Sequence, residues 1–434
     1  MGQNLDINVH HITRVEGHGN IVVNVKEGKL ERAYLEIVEA PRYFEAILKG
    51  RNYKEAAIIT SRICGICSLG HQMTSLKATE AALGLDVSEQ TVLLRKLLID
   101  GATIQSHVLH SLFLVTPDFV GKPSVFAMIG DYREAVLRAL RMKNIANLVS
   151  EVVGGRAVHP VTPIPGGFTR IPEAGELKFL KEKLVNEMLP DCDATVELMH
   201  QLLDTIPNFE RETEYISLQC DDEYAFYDGD ICSSDTGRVP VDQYEKMTNE
   251  FVVPHSTSKH ARANRESFMV GALARFNNNS SQLLERAQRA AEKLRLKAPC
   301  YNPYMNSIAQ IVEVVHCTEE AIKIIDTLLA RGLKDEKPDQ EPKKYGRGIG
   351  STEVPRGILY HDYTYDRKGL IVKANCVIPT GQNLGNIDYD MRKLVPEIID
   401  EPKESIVKKL EMLVRAYDPC ISCSVHMLDV DFVE

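Results

Sequence analysis

The chain has 434 residues, with 51 Lys and Arg against 61 Asp and Glu, for a formal net charge of −10 with histidines neutral. That length buries a large core without a disulfide framework, and 44% hydrophobic with 26% charged residues excludes a wholly disordered chain. An acidic balance lacking any sustained Lys/Arg block argues against nucleic-acid binding, and there is no run of about 18 apolar residues to span a membrane. Residues 1–12 carry no basic-then-apolar export signal, and ten cysteines are too sparse for a disulfide scaffold, so a reducing, cytoplasmic setting is expected.

In chain order, residues 19–37 alternate. Ile21, Val23 and Val25 lead into Lys26-Glu27-Gly28-Lys29, and Leu30, Ala33, Leu35 and Ile37 follow, which predicts a β-hairpin with a glycine turn. From Tyr53 the period becomes helical. Helices are predicted over 88–113, 132–153, 175–206, 258–296 and 307–333, the second having an apolar stripe through Met142, Ile145, Val149, Val152 and Val153 and a stop at Gly154-Gly155. Residues 332–350 read as a solvated loop of charge and proline. A β-prone segment at 359–378 and a helical pattern at 388–416 complete the chain. No internal repeat is present. The fold class expected is mainly α with a small N-terminal β-sheet (α+β), with a helical-bundle body. Although roughly 150 residues per domain would allow about three domains, no clean linker appears. The expectation is a single unit, 1–434, with a β region at 1–40, a helical body at 53–333, a charged loop at 334–350 and a C-terminal β/α segment at 355–434.

Arg62-Ile63-Cys64-Gly65-Ile66-Cys67 and Asp418-Pro419-Cys420-Ile421-Ser422-Cys423 each hold a Cys-x-x-Cys, a spacing that lets two thiolates reach one metal. One such pair alone is equally a redox dithiol or a coincidence of buried cysteines. Two pairs point to four thiolates converging on a soft metal. A zinc ribbon spaces its pairs about 15–20 residues apart. Here they stand at opposite ends of the chain, so only the whole fold closes the site, which suits an enzyme centre better than a structural clip.

With these motifs the chain resembles the large, catalytic subunit of nickel–iron hydrogenases, in detail the cytosolic, multimeric group with bidirectional and sulfhydrogenase-like members. The resemblance runs from Arg14-Val15-Glu16-Gly17-His18 through Arg62, Cys64, Gly65, Cys67 and His71 to the set from Asp418 to His426. Between them lie His107 and His110, Gly154-Gly155, His159-Pro160, Gly166-Gly167, Leu273-Ala274-Arg275, Pro355-Arg356-Gly357 and Pro379-Thr380-Gly381-Gln382-Asn383. The implied fold is the hydrogenase large-subunit fold, with the 355–434 segment closing a metal site. The implied activity is H2 ⇌ 2H⁺ + 2e⁻, which needs an electrophilic metal and a nearby base.

By this resemblance Cys64 and Cys420 are terminal nickel ligands. Cys67 and Cys423 bridge nickel to an iron carrying carbon monoxide and cyanide, a Ni-Fe(CO)(CN)2 centre. Arg356, a guanidinium fork, and Thr380, a hydroxyl, face the cyanides. Glu16 takes the proton from Cys420. Glu45, His426 and the carbonyl of Cys376 hold a magnesium ion, a hard cation suited to oxygen ligands and retained water. Relatives commonly place an acid before His107, where this chain has Ser106. His71, His107 and His110 are read as supporting or packing residues, and Cys192, Cys220, Cys232, Cys300 and Cys317 as buried small hydrophobes.

Once the two pairs are used, no cysteine set remains for an iron–sulfur cluster in this chain. An iron–sulfur small subunit is therefore the implied partner, with flavin or iron–sulfur subunits serving NAD(P), ferredoxin or another acceptor beyond it. The alternatives are a hydrogenase-like subunit of a respiratory complex that has lost nickel, although all four cysteines are present, and a zinc or redox scaffold. Eight residues, 427–434, follow His426. This tail is expected to be retained and ordered, packing through Met427, Leu428, Val430 and Phe432, and His426 is expected to bind through its imidazole.

Overall fold

The computed structural model describes residues 4–338 and 341–426. The alternation at 19–37 becomes a hairpin in which strand Gly19–Lys26 pairs antiparallel with Lys29–Ile37. Ile21, Val23, Val25, Ala33, Leu35 and Ile37 all face the core. Glu27 and Gly28 both take positive φ (50° and 78°), the geometry of a tight two-residue hairpin turn. Leu5–Val9 adds to one edge. The other edge recruits Ser256–Arg262 and then Asn249–Val253, giving a five-stranded sheet.

That recruitment corrects the helix expected over 258–296. The inward residues of the strand are Ser256, Ser258 and His260, so polar side chains hide its alternation from a hydrophobicity reading. Helix resumes only at Ala272–Asn279 and Glu285–Lys293. The 53–333 body is likewise not purely helical: Glu214–Gln219, Asp230–Ser233 and Gly237–Val239 form a second sheet with Phe268–Met269.

The other helices lie close to their expected positions. Glu89–Val108 runs into a π-helical stretch, Leu109–Val115, and Arg133–Gly154 and Asn306–Arg331 pack against it. Residues 175–206 form two helices, Ala174–Lys183 and Leu189–Leu202, joined by a π turn. Pro190, which has no N–H to continue the ladder, stands at the start of the second. The charged loop ends at Gly346, because strand Arg347–Val354 already includes the last residues assigned to it. This strand, Gly357–Tyr365 and Ile371–Val377 make a three-stranded meander, followed by helices Pro379–Ile398 and Lys403–Ala416. The 427–434 tail, and with it the packing expected there, lies outside the described residues. Of the five scattered cysteines, Cys192, Cys232 and Cys317 are buried as expected, but Cys220 and Cys300 are only half-buried.

Two close approaches fix the frame around the cysteines. Helix Ser68–Leu83 lies directly on strand Arg347–Val354. A Cβ at Gly350 would stand 2.3 Å from the Thr74 carbonyl oxygen, and one at Gly70 would stand 2.2 Å from Val354 Cγ1. Only hydrogen fits at either place, which brings the start of that helix, just after Cys67, beside the turn holding Arg356. Arg275 ties the same turn from below. Fully buried, it donates to Glu313 (2.6 and 2.7 Å), to Glu353 (2.8 Å) and to the carbonyls of Val354 and Pro355. Replacing one member of a buried ionic network strands the others without counter-charge, at a cost of about 3–5 kcal/mol. Arg275→Met is therefore expected to lower unfolding stability by about that amount, read as the shift in a denaturant midpoint.

Candidate metal centre

The two Cys-x-x-Cys segments meet. Cys64 Sγ lies 3.5 Å from Cys420 Sγ, and Cys420 Sγ lies 2.6 Å from Cys423 Sγ. One sulfur from each of Cys64, Cys420 and Cys423 falls within 4.8 Å of the others. Cys67 sits against this group: its amide donates to Cys64 Sγ (3.3 Å), and its own sulfur accepts from Arg356 Nη1 (2.9 Å). All four are buried and none is in a disulfide. Hydrogen bonds from Cys420, Cys423 and Cys67 hold the Cys64 thiol far below the ordinary range, with Arg356 adding to the pull. Burial pushes Cys420 and Cys423 up. Four crowded, unbridged sulfurs beside a guanidinium are a donor set that fits soft metal ions.

Arg42 clamps the two cysteine segments together. Its guanidinium donates to the carbonyl of Ile63, just before Cys64, and to that of Ser422, between Cys420 and Cys423, while its amide donates to Val425 O. Asp118 clamps the approach from the N-terminus, accepting from Arg14 Nη2 (2.5 Å) and Arg415 Nε (2.8 Å). The Arg-Val-Glu segment is thereby held against the chain leading into Cys420. Gly17 is forced by the contact that results. It has φ +89°, and a Cβ there would come within 2.7 Å of Ile421 and 2.9 Å of the Ser422 nitrogen.

Glu16 is brought to the sulfurs. Its Oε2 accepts from Cys420 Sγ (3.2 Å) and from the Ser422 amide (3.1 Å), and its backbone oxygen accepts from Ile421 N. The residue is half-exposed. Arg356 is buried and spends its fork inside the site: Nε donates to Asp418 O (2.7 Å), Nη2 to Asp418 Oδ1 (2.9 Å) and Nη1 to Cys67. Asp418 takes φ +51°, a left-handed conformation held in place by Arg356 and by Gln310, which donates to its other oxygen. Thr380 Oγ1 accepts from the Cys420 amide (2.9 Å).

A lysine at Arg356 offers one ammonium where the fork serves three acceptors. Arg356→Lys is expected to cut turnover at this centre on the order of a hundredfold, the scale of loss when reacting groups are slightly misplaced. Rates set against metal content in the same sample separate misplacement from metal loss.

Glu45 and His426 also meet, with Oε1 3.0 Å from Nδ1. Beyond this contact, among the described residues, Glu45 Oε2 and both His426 ring nitrogens are buried and make no hydrogen bond. Burial raises the Glu45 carboxyl, but the His426 charge and contact outweigh it and hold it below the usual carboxylate range. Cys376 belongs to the apolar cluster that contains the four cysteines, and burial together with the Glu45 charge pushes its thiol up.

His71, His107 and His110 each have a partner. His71 pairs with His361 (3.2 Å), and burial holds His71 down at about 3. His107 pairs with Glu313 (2.7 Å), and His110, within the π-helical stretch, contacts Gln310 and the Arg415 carbonyl. Ser106 Oγ is buried without a partner. Asp418 heads the set from Asp418 to His426, which is a signal for its role. Asp118 and His361 give no local sign in the sequence.

The family model for nickel-dependent hydrogenases matches residues 42–129 and 216–426, and a HoxL-like model matches 6–40. The chain belongs to the nickel-dependent hydrogenase family and is a hydrogenase, an oxidoreductase acting on H2. It is 35% identical over 425 residues to the alpha subunit of sulfhydrogenase 1 from Pyrococcus furiosus, covering 98% of each chain. The alpha subunit of sulfhydrogenase 2 from the same organism is 32% identical over 425 residues, covering 97% of this chain and 99% of that one. Among solved structures, an NAD⁺-reducing [NiFe]-hydrogenase in the H2-reduced state superposes with a TM-score of 0.87 at 25% identity, over 97% of this chain and 99% of the other. The fold is therefore the hydrogenase large-subunit fold. No helix among the described residues is long and apolar enough to cross a membrane.

Proposed function

We propose that this chain is the catalytic subunit of a nickel–iron hydrogenase that interconverts H2 with protons and electrons at a centre held by Cys64, Cys67, Cys420 and Cys423. The observation carrying this reading is the meeting of two distant cysteine pairs with Glu16 and Arg356 in contact with their sulfurs. When bound, a nickel–iron centre with carbon monoxide and cyanide on the iron supplies the electrophilic metal that polarises H2.

The chain's own residues do the rest. Cys64, Cys67, Cys420 and Cys423 would hold such a centre through their thiolates. Cys420 Sγ hands a proton to Glu16 Oε2, which releases it towards solvent from its half-exposed position. Arg356 steadies the Cys67 thiolate and keeps Asp418 neutralised, so that the pocket stays dry without an unpaired charge. The Thr380 hydroxyl, already accepting from the Cys420 amide, keeps its own hydrogen to donate inward. Glu45, His426 and the Cys376 carbonyl are read as magnesium ligands, and the unpartnered Glu45 oxygen and His426 nitrogens support a cation there.

The whole chain acts as one unit, 1–434, in an α+β arrangement whose C-terminal segment closes the site. Electrons leave through an iron–sulfur small subunit, then through further electron-transfer subunits in the cytoplasm. The Pyrococcus relative is by name one subunit of several, which supports such an assembly. Metal analysis of the purified complex tests the reading. Nickel with an equal amount of iron, after allowance for clusters in the other subunits, is expected; zinc alone would overturn it.

A further inference from the structure

A second group of metal-ligating side chains lies apart from the cysteines. His255, His260 and Asp388 each place one ligand atom within 4.8 Å of the other two. They come from three parts of the chain: the turn before strand Ser256–Arg262, that strand itself, and helix Pro379–Ile398. Asp388 stands eight residues beyond Thr380 on this helix, about 12 Å along its axis, so the group is outside the sulfur site.

Each side chain is held before any ligand arrives. Asp388 Oδ1 accepts from the Leu35 amide (2.8 Å), which leaves Oδ2 facing His255 Nε2 at 3.0 Å. The His255 ring stacks on Tyr34 with centroids 4.3 Å apart, and His260 stands edge-on to both His255 (5.4 Å) and Phe251 (6.0 Å). The 3.0 Å contact between His255 and Asp388 accounts for two of the three residues. It leaves the third unexplained: His260 is 3% exposed, and its Nε2 is buried with no hydrogen-bond partner. An orphaned buried polar atom is unfavourable, so a bound partner at that nitrogen removes a penalty.

We propose that His255, His260 and Asp388 bind a divalent first-row transition-metal ion, zinc being the best fit. Two imidazoles and one carboxylate suit borderline ions, and zinc accepts three protein ligands plus water. The His255 side chain is 19% exposed, which leaves a side open for that water. The ion ties the N-terminal sheet to the helix that carries Thr380, and on binding it displaces the proton between His255 and Asp388.

The test uses the holoenzyme, with its nickel and iron in place, dialysed against chelator and titrated with Zn²⁺ and, separately, Co²⁺. One equivalent of zinc beyond the metals already present is expected. Cobalt should show weak visible bands of nitrogen and oxygen ligation without the intense near-ultraviolet absorption of cobalt–sulfur bonds. His260→Ala is expected to weaken uptake by at least about a hundredfold, since even partners of metal ligands contribute 10–100-fold. His255→Gln, at a partly exposed position, should do the same if His260→Ala folds poorly. Nickel and iron, measured in the same samples, report separately on the cysteine centre. No extra equivalent in the wild type, cobalt–sulfur absorption, or undiminished uptake in a folded variant would each overturn the site.

Discussion

Cys423→Ser is expected to take H2-dependent dye reduction down to the background of the assay and to lower both nickel and iron in the purified protein. The substitution keeps size and shape but exchanges a soft thiolate donor for a hydroxyl that stays protonated near neutral pH. Cys423 Sγ lies 2.6 Å from Cys420 Sγ within the sulfur group, and it is buried, which disfavours water replacing it as a ligand. If it is shared by two metals, its loss reaches both. Cys317→Ser is the matched control: this cysteine is equally buried but lies in the helical core on Asn306–Arg331, so metal content should be unchanged. Near wild-type dye reduction by Cys423→Ser would remove that cysteine from the centre.

The sequence foretold the parts of this structure that follow from local pattern. Alternation through Ile21, Val23 and Val25 and again through Ala33, Leu35 and Ile37 marks a hairpin with one buried face, and a 3.6-residue stripe ending in Gly154-Gly155 marks a capped helix. The cysteine pairs were legible because two-residue spacing carries a chemical meaning that survives any distance along the chain. What was not legible depended on tertiary contact. Strand Ser256–Arg262 buries Ser256, Ser258 and His260, and nothing in hydrophobic periodicity marks such a strand until its neighbour Lys29–Ile37 is in place. Asp118 holds two arginines 104 and 297 residues away, a role its surroundings in the sequence do not announce. His361 shows the same limit: it is one of several polar residues in strand Gly357–Tyr365, and only folding sets it against His71.

The clamp at Asp118 matters because it delivers Glu16, and Glu16→Gln isolates what that carboxylate does. Glutamine has the same length, and its amide oxygen can still accept from the Ser422 N–H that fixes Glu16 Oε2 at 3.1 Å. The contact between Ile421 N and the backbone oxygen of residue 16 is untouched. Geometry and metal content should therefore survive, and only ionisation is lost. A positioned acid–base group typically contributes 10²–10⁴-fold, so turnover with dye is expected to fall by about that factor. Exchange of H2 with D2O gives the sharper reading, because it requires proton movement to solvent but no electron acceptor. It should fall in parallel with turnover, whereas a defect in electron exit would leave it high. Glu16→Asp restores an ionisable group but one methylene short of the 3.2 Å contact to Cys420 Sγ, so partial recovery is expected. Full exchange in a Glu16→Gln protein with its metals in place would mean that the proton leaves Cys420 by another route.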